Sequence, residues 1–179
     1  MAVESQAAVL PELVLLLREP LVFEKSFLQG AVVAAFRRVL PTDEPDAEEF
    51  VIGDYPIFFV GLQGNLLQVK SMPVPYNAQS ALPFVQGDPN DLLSGIADPE
   101  FRKLVARHKG WVSAALMKPG PEVHAKPFKL VSKMLSAFGF EDVCAIICPG
   151  RQQILPWDFA MHEKLSHGRG LNLFHGQSS

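Results

Sequence analysis

The residues of this chain best equipped for chemistry are five histidines, two cysteines and an aspartate that precedes a helix. His108, His124, His162, His167 and His175 are spread along the sequence. His162 and His167 stand five apart, a spacing that does not align them on one helix face, so no metal-ligand set emerges. Cys144 and Cys148 stand four apart in an apolar run. On a regular strand they would share a face roughly 13 Å apart, too far for a disulfide. They read as two buried thiols of a reducing cytoplasm. Asp158 precedes His162 by four residues, as a general base and its partner could. Capping of a helix already accounts for Asp158, and a helix dipole accounts for His108 in a last turn. The segment GLQGN lacks the spacing of a phosphate loop and reads as a hairpin turn, and no GxSxG elbow or HExxH helix occurs. The residues therefore indicate no catalytic set, no cofactor and no metal.

Composition narrows the partners. Of 179 residues 48% are hydrophobic and 20% charged, which suits one globular domain. A net charge of −3 argues against nucleic acid, whose phosphates need a basic face. No apolar run approaches the roughly 18 residues of a membrane span, and the start MAVESQAAVLPE lacks the pattern of a signal peptide. The expectation is a cytoplasmic domain over 11–166, with a frayed start at 1–10 and a flexible tail at 167–179.

The elements that must position any site are organised around Tyr55–Tyr76. Ile57–Val60 is a short β-branched and aromatic run, Gln63-Gly64-Asn65 is a turn, and Leu66–Met72 is a second strand. Leu67, Val69 and Ser71 share one face of it, while Leu66, Gln68, Lys70 and Met72 form a wetter face. Pro73 and Pro75 end the ladder, having no N–H to donate. Before this hairpin, Leu13–Leu17 predicts a central strand and residues 24–40 a helix stopped by Pro41. The acidic segment 41–50 reads as a solvated loop. After it come a long loop over 77–96, a helix from Pro99 capped by Asp98, a strand at Trp111–Met117, a helix at 123–138 and a strand at Val143–Cys148. Gln153–Leu155 pairs briefly and a last helix follows Asp158. This order predicts an α+β fold: a ferredoxin-like split βαβ core with an added helix and strand, its mixed sheet covered by helices on one face.

The candidate site is the ledge of Met72, Pro73, Pro75 and Tyr76 beside the long loop. Prolines reduce the ordering cost of an exposed segment, methionine adapts to irregular partners, and tyrosine offers a flat apolar body with a polar tip. Trp111 and Trp157, each at the start of an element, are further binding candidates. In a ferredoxin-like sheet nothing requires the two to meet.

The MPVPY exit of the hairpin, the HKGWVS entry into a strand and the later Pro156-Trp157 resemble an uncharacterised bacterial domain-of-unknown-function family over about residues 13–158. Its members usually carry a tryptophan soon after the Pro-x-Pro, where this chain has Tyr76-Asn77. The resemblance implies a small cytoplasmic α/β domain with no assigned catalytic residues. The functional expectation is a non-catalytic binding or protein-interaction module, taking a protein or small ligand, with a homodimer as a further option. The alternative is a small-molecule hydrolase or transferase with an unrecognised active site.

Overall fold

Gln63 and Gly64 form a two-residue turn between the paired residues Leu62 and Asn65. The computed structural model describes residues 11–42, 44, 47–76, 93–121, 128–139, 141–170 and 174. Gln63 and Gly64 both take positive φ, 52° and 74°. That pair of values lets a two-residue turn follow the twist of the flanking strands. Asn65, expected at the second left-handed position, instead starts the outgoing strand. It is buried as a polar clasp, with Oδ1 accepting from Gly120 N–H at 2.7 Å and Nδ2 donating to Leu62 O at 3.0 Å.

The elements run β1 (Glu12–Leu17), α1 (Lys25–Phe36), β2 (Phe50–Asp54), β3 (Ile57–Leu62), β4 (Asn65–Met72), α2 (Pro99–Ala106), β5 (Gly110–Lys118), α3 (Phe128–Ser136), β6 (Val143–Cys148), β7 (Gln153–Pro156) and α4 (Phe159–Ser166). Among the described residues the strands form one seven-stranded sheet, ordered β2-β3-β4-β5-β1-β6-β7. Every strand pair is antiparallel, so the expected mixed sheet is corrected to an antiparallel one. A ferredoxin-like order would set β1 beside β4, but β5 stands between them. The helix-spanned pair with one strand inserted is β5-α3-β6, which runs parallel on either side of β1.

Two apolar layers cover the two faces. On the first, Leu13, Leu15, Phe58, Val69 and Val112 pack against Leu28 and Val32 of α1 and against Val131, Met134 and Leu135 of α3. On the second, Val14, Leu16, Trp111, Ala145 and Ile147 meet Phe101, Leu104 and Val105 of α2. Helices therefore lie on both faces, not one. The cause is the stripe of α2, which is short but apolar at Phe101, Leu104 and Val105 and must be buried somewhere.

Local signals account for most boundaries. Asp98 Oδ1 accepts from Glu100 N–H at 2.9 Å, with Pro99 opening α2. Asp158 Oδ1 accepts from Met161 N–H at 2.8 Å to start α4. Gly139 follows α3 at φ 96°. Helix α1 ends earlier than Pro41, because Arg37 takes a left-handed φ of 59° and its N–H bonds Val33 O. Val39, within the range expected to be helical, is 81% exposed. Strand β2 arises within and beyond the segment read as a loop, with Val51 buried opposite Val60. At the C-terminal end, Gly170 N–H donates to Ser132 Oγ at 3.1 Å and Phe174 is buried in the first layer, although a flexible tail is expected there.

The cysteines lie on opposite faces. Between Leu16 and Leu17 the register with β6 shifts, pairing Leu16 with Ala145 and Leu17 with Val143. That irregularity breaks the period-two alternation, so Cys144 joins the second layer and Cys148 the first. Both are free and buried. Burial pushes the Cys144 thiol up to about 11, with Arg18 opposing.

Candidate functional site

The second face of the sheet gathers the polar groups that the core does not use. Cross-strand register arranges them in ranks. Met72, Trp111, Leu16 and Ala145 form one rank, and Lys70, Ser113, Val14 and Ile147 the next. Gln68, Ala115 and Glu12 form the third. The alternation of each strand dictates this, since residues two apart share a face.

Tyr76 closes the first rank. Its ring meets Trp111 edge-on, with centroids 5.4 Å apart and planes at 86°. Both rings are buried, at 9% and 3% exposure. The backbone N–H of Tyr76 donates to His108 Nε2 at 2.7 Å, and His108 Nδ1 bonds Val105 O at the end of α2. Among the described residues the buried indole N–H of Trp111 has no hydrogen-bond partner. Such a donor costs about 1–3 kcal/mol when left unpaired.

Glu12 is the second unusual group. It opens β1 yet is only 7% exposed. Burial raises its pKa above the ordinary 4.5, while Ser113 and the Lys70 ammonium oppose the shift. Ser113 Oγ steadies the carboxylate from nearby but falls short of a well-formed hydrogen bond, and it too is buried without a partner. Burial, reinforced by the Glu12 charge, also holds the Tyr76 phenol well above its usual value. Tyr76 and Glu12 thus bear on the same small region.

These shifts give a testable sign. A carboxyl whose pKa is raised by folding supports the native state fully below its unfolded value and withdraws that support as pH rises. Glu12→Gln should therefore melt higher than the parent chain at neutral pH, and the gap should close below pH 4.5. Thermal melts of both chains across that range check it. A glutamine variant less stable at neutral pH would mean that the Lys70 attraction outweighs burial.

Of the expected site residues, Met72, Tyr76 and Trp111 come together on the second face. Pro73 and Pro75 are exposed on the ledge beside them. Trp157 lies elsewhere, packed against the first layer and 6.0 Å edge-on from His162. The stretch 77–92 of the long loop lies outside the described residues, while Leu93 and Ile96 pack on the second face. Glu12, Lys70, Ser113 and His108 were not singled out as site residues from the sequence. The signal for Glu12 is a lone carboxylate opening an otherwise apolar strand. For Ser113 it is a hydroxyl at the centre of WVSAALM.

Two grooves open on the first face. One of about 610 Å3 is lined by Lys25, Thr42, Asp54 and Tyr55, and one of about 460 Å3 by Leu21, Phe138, Glu141 and Asp142. Neither contains an expected site residue. Among the described residues no group of three or more metal-ligating side chains gathers, and no helix is long and apolar enough to cross a membrane. Compared with family models, curated proteins and solved structures, the chain finds no match.

Proposed function

We propose that the chain is a non-catalytic binding module whose site is the second sheet face beneath the Met72–Tyr76 ledge. The observation that carries this reading is the Trp111 N–H, without a hydrogen-bond partner among the described residues, on the same sheet face as a buried carboxylate two ranks away. Both features cost stability, and a fold retains such groups when something else uses them. Trp111 and Ser113 are 3% and 1% exposed, which favours a small ligand over a protein segment. A ligand acceptor atom would take the indole N–H, and apolar parts would lie on Val14, Leu16 and Ile147. Pro73 and Pro75 hold the exposed ledge in place at low entropic cost. The resemblance to a bacterial family belongs to this proposal and adds no site residue to it.

Trp111→Phe tests it, because phenylalanine keeps most of the ring and deletes only the donor side. The variant should fold and melt close to the parent chain. A screen of small polar metabolites should find compounds that raise the melting temperature of the parent but not of the variant. A ligand at 100 times its Kd stabilises by about 2.7 kcal/mol, well within detection. Compounds that stabilise both chains equally, or no stabilising compound, would sink the assignment.

A hydrolase or transferase at the same face is the second reading. It is favoured by the pairing of Lys70 directly opposite Ser113, with Glu12 on the next strand. The same screen, followed for product formation instead of melting, separates the two.

A further inference from the structure

We infer that the second-face site takes a free α-amino acid with an apolar side chain: Trp111, Ser113 and Lys70 receive its carboxylate, and Glu12 its ammonium group. The inference rests on the reading of that face as a binding site and adds the class of ligand.

Strand register lays the groups out. Ser113 stands at the centre, directly opposite Lys70 on β4 and Val14 on β1. Glu12 precedes Val14 by two residues, so it shares that face one rank along, beside Ala115. Trp111 lies one rank the other way, opposite Met72. Lys70 and Glu12 thus flank β5 from either side, on strands about 10 Å apart at two strand spacings. The floor between them is made of two small residues, Ser113 and Ala115. The Lys70 charge reaches Glu12, yet among the described residues no ion pair joins them. Ser113 Oγ and the Trp111 indole nitrogen are both buried, and among the described residues neither has a hydrogen-bond partner.

The charge of the ligand follows from this arrangement. A carboxylate accepts from several donors at once, and here an N–H and an O–H stand beside an ammonium group. A plain anion in that place would also face Glu12, and a plain cation would face Lys70. A zwitterion satisfies both. Burial disfavours the charged form of Glu12, and a ligand ammonium is the group that offsets this. An α-amino acid carries its two charges close together, which suits a floor one strand wide. Its side chain follows the rank of Lys70 and Ser113 onto Val14 and Ile147, both apolar.

Isothermal titration of the whole chain at neutral pH with L-leucine, L-methionine and L-phenylalanine tests this. At least one should bind. Its two single-ended analogues are the acid lacking the amino group and the amine lacking the carboxylate. Each gives up hydrogen bonds to a charged partner and should bind at least about tenfold more weakly. Lys70→Met should abolish the preference for the amino acid over the amine, and Glu12→Gln the preference over the acid. If either variant fails to fold, the analogues on the parent chain decide. An analogue that binds as tightly as its amino acid, preferences that survive both substitutions, or a parent chain that binds none of the three would overturn the inference. The fate of the binding site itself is read separately. A compound without both charges that emerges from the Trp111→Phe screen would overturn the amino-acid assignment and leave the site standing. An amino acid held equally by the parent chain and by Trp111→Phe would sink the site as well.

Discussion

Phe58→Ala should lower the free energy of unfolding by about 3–5 kcal/mol. Phe58 is fully buried on the first face, between Gly53 and Val69 in register. Its ring stacks on Phe23, with centroids 5.1 Å apart and planes at 15°, and Phe23 in turn touches Phe27 and Phe138. Truncation removes the stacking partner and leaves a cavity roofed by these aromatic rings, which cannot all move inward. At this chain length each kcal/mol shifts the melting temperature by about 2–4 °C, so a drop of about 6–20 °C is expected. Phe58→Leu should cost less, since it retains most of the volume. Urea titration of the three chains measures both. A loss below about 1 kcal/mol for alanine would show that the aromatic cluster is not the centre of the first layer.

Asn65→Ala should have the second largest effect, about 2–4 kcal/mol. One side chain here serves three backbone groups: Gly120 N–H at 2.7 Å, Leu62 O at 3.0 Å and Gln63 O at 3.2 Å. Alanine leaves them without these partners in a site only 3% exposed. The space is tight as well, because a Cβ on Gly120 would come within 2.6 Å of Gln63 O. Asn65→Asp is the informative comparison. It keeps an acceptor for Gly120 but turns two donated bonds into contacts between a carboxylate and carbonyl oxygens, so it should be at least as damaging at neutral pH. An aspartate variant as stable as the parent would show that the donated bonds contribute nothing.

The sequence exposes features whose cause is local. The hairpin of β3 and β4 is legible because the glycine-containing turn Gln63-Gly64-Asn65 separates two strand-forming runs, and burial in β4 follows the alternation of its residues from Asn65 to Met72. Asp98 and Asp158 announce their helices by capping chemistry alone. Strand β2 was missed because FVIGD is short, interrupted by Gly53 and preceded by acidic residues. It is held by pairing with β3, a tertiary cause. The order of strands was missed for the same reason. Nothing local says that β5 inserts between β4 and β1.

The candidate site was legible in part. Met72 and Tyr76 stood out by side-chain chemistry, and Trp111 by its position at a strand start. Their convergence depends on the Met72–Trp111 register, which no single strand encodes. Tyr76, expected as an exposed binding surface, is instead a buried lid over Trp111. Glu12 escaped notice because its burial is imposed by neighbours on β5 far along the chain.

The placement of β1 has a consequence for how the chain is made. This wholly buried strand is made well before its hydrogen-bonding partners, which are Gly110–Ala115 on one side and Val143–Ile147 on the other. Val14 meets Ile147 only after all the chain between them has been made. At about 5–20 residues per second, the apolar run LVLLL waits on the order of ten seconds on the ribosome with both edges unpaired. Contacts so distant in sequence also slow the search for the native sheet. The risk of aggregation thus falls on the nascent chain, before the edges of β1 are paired.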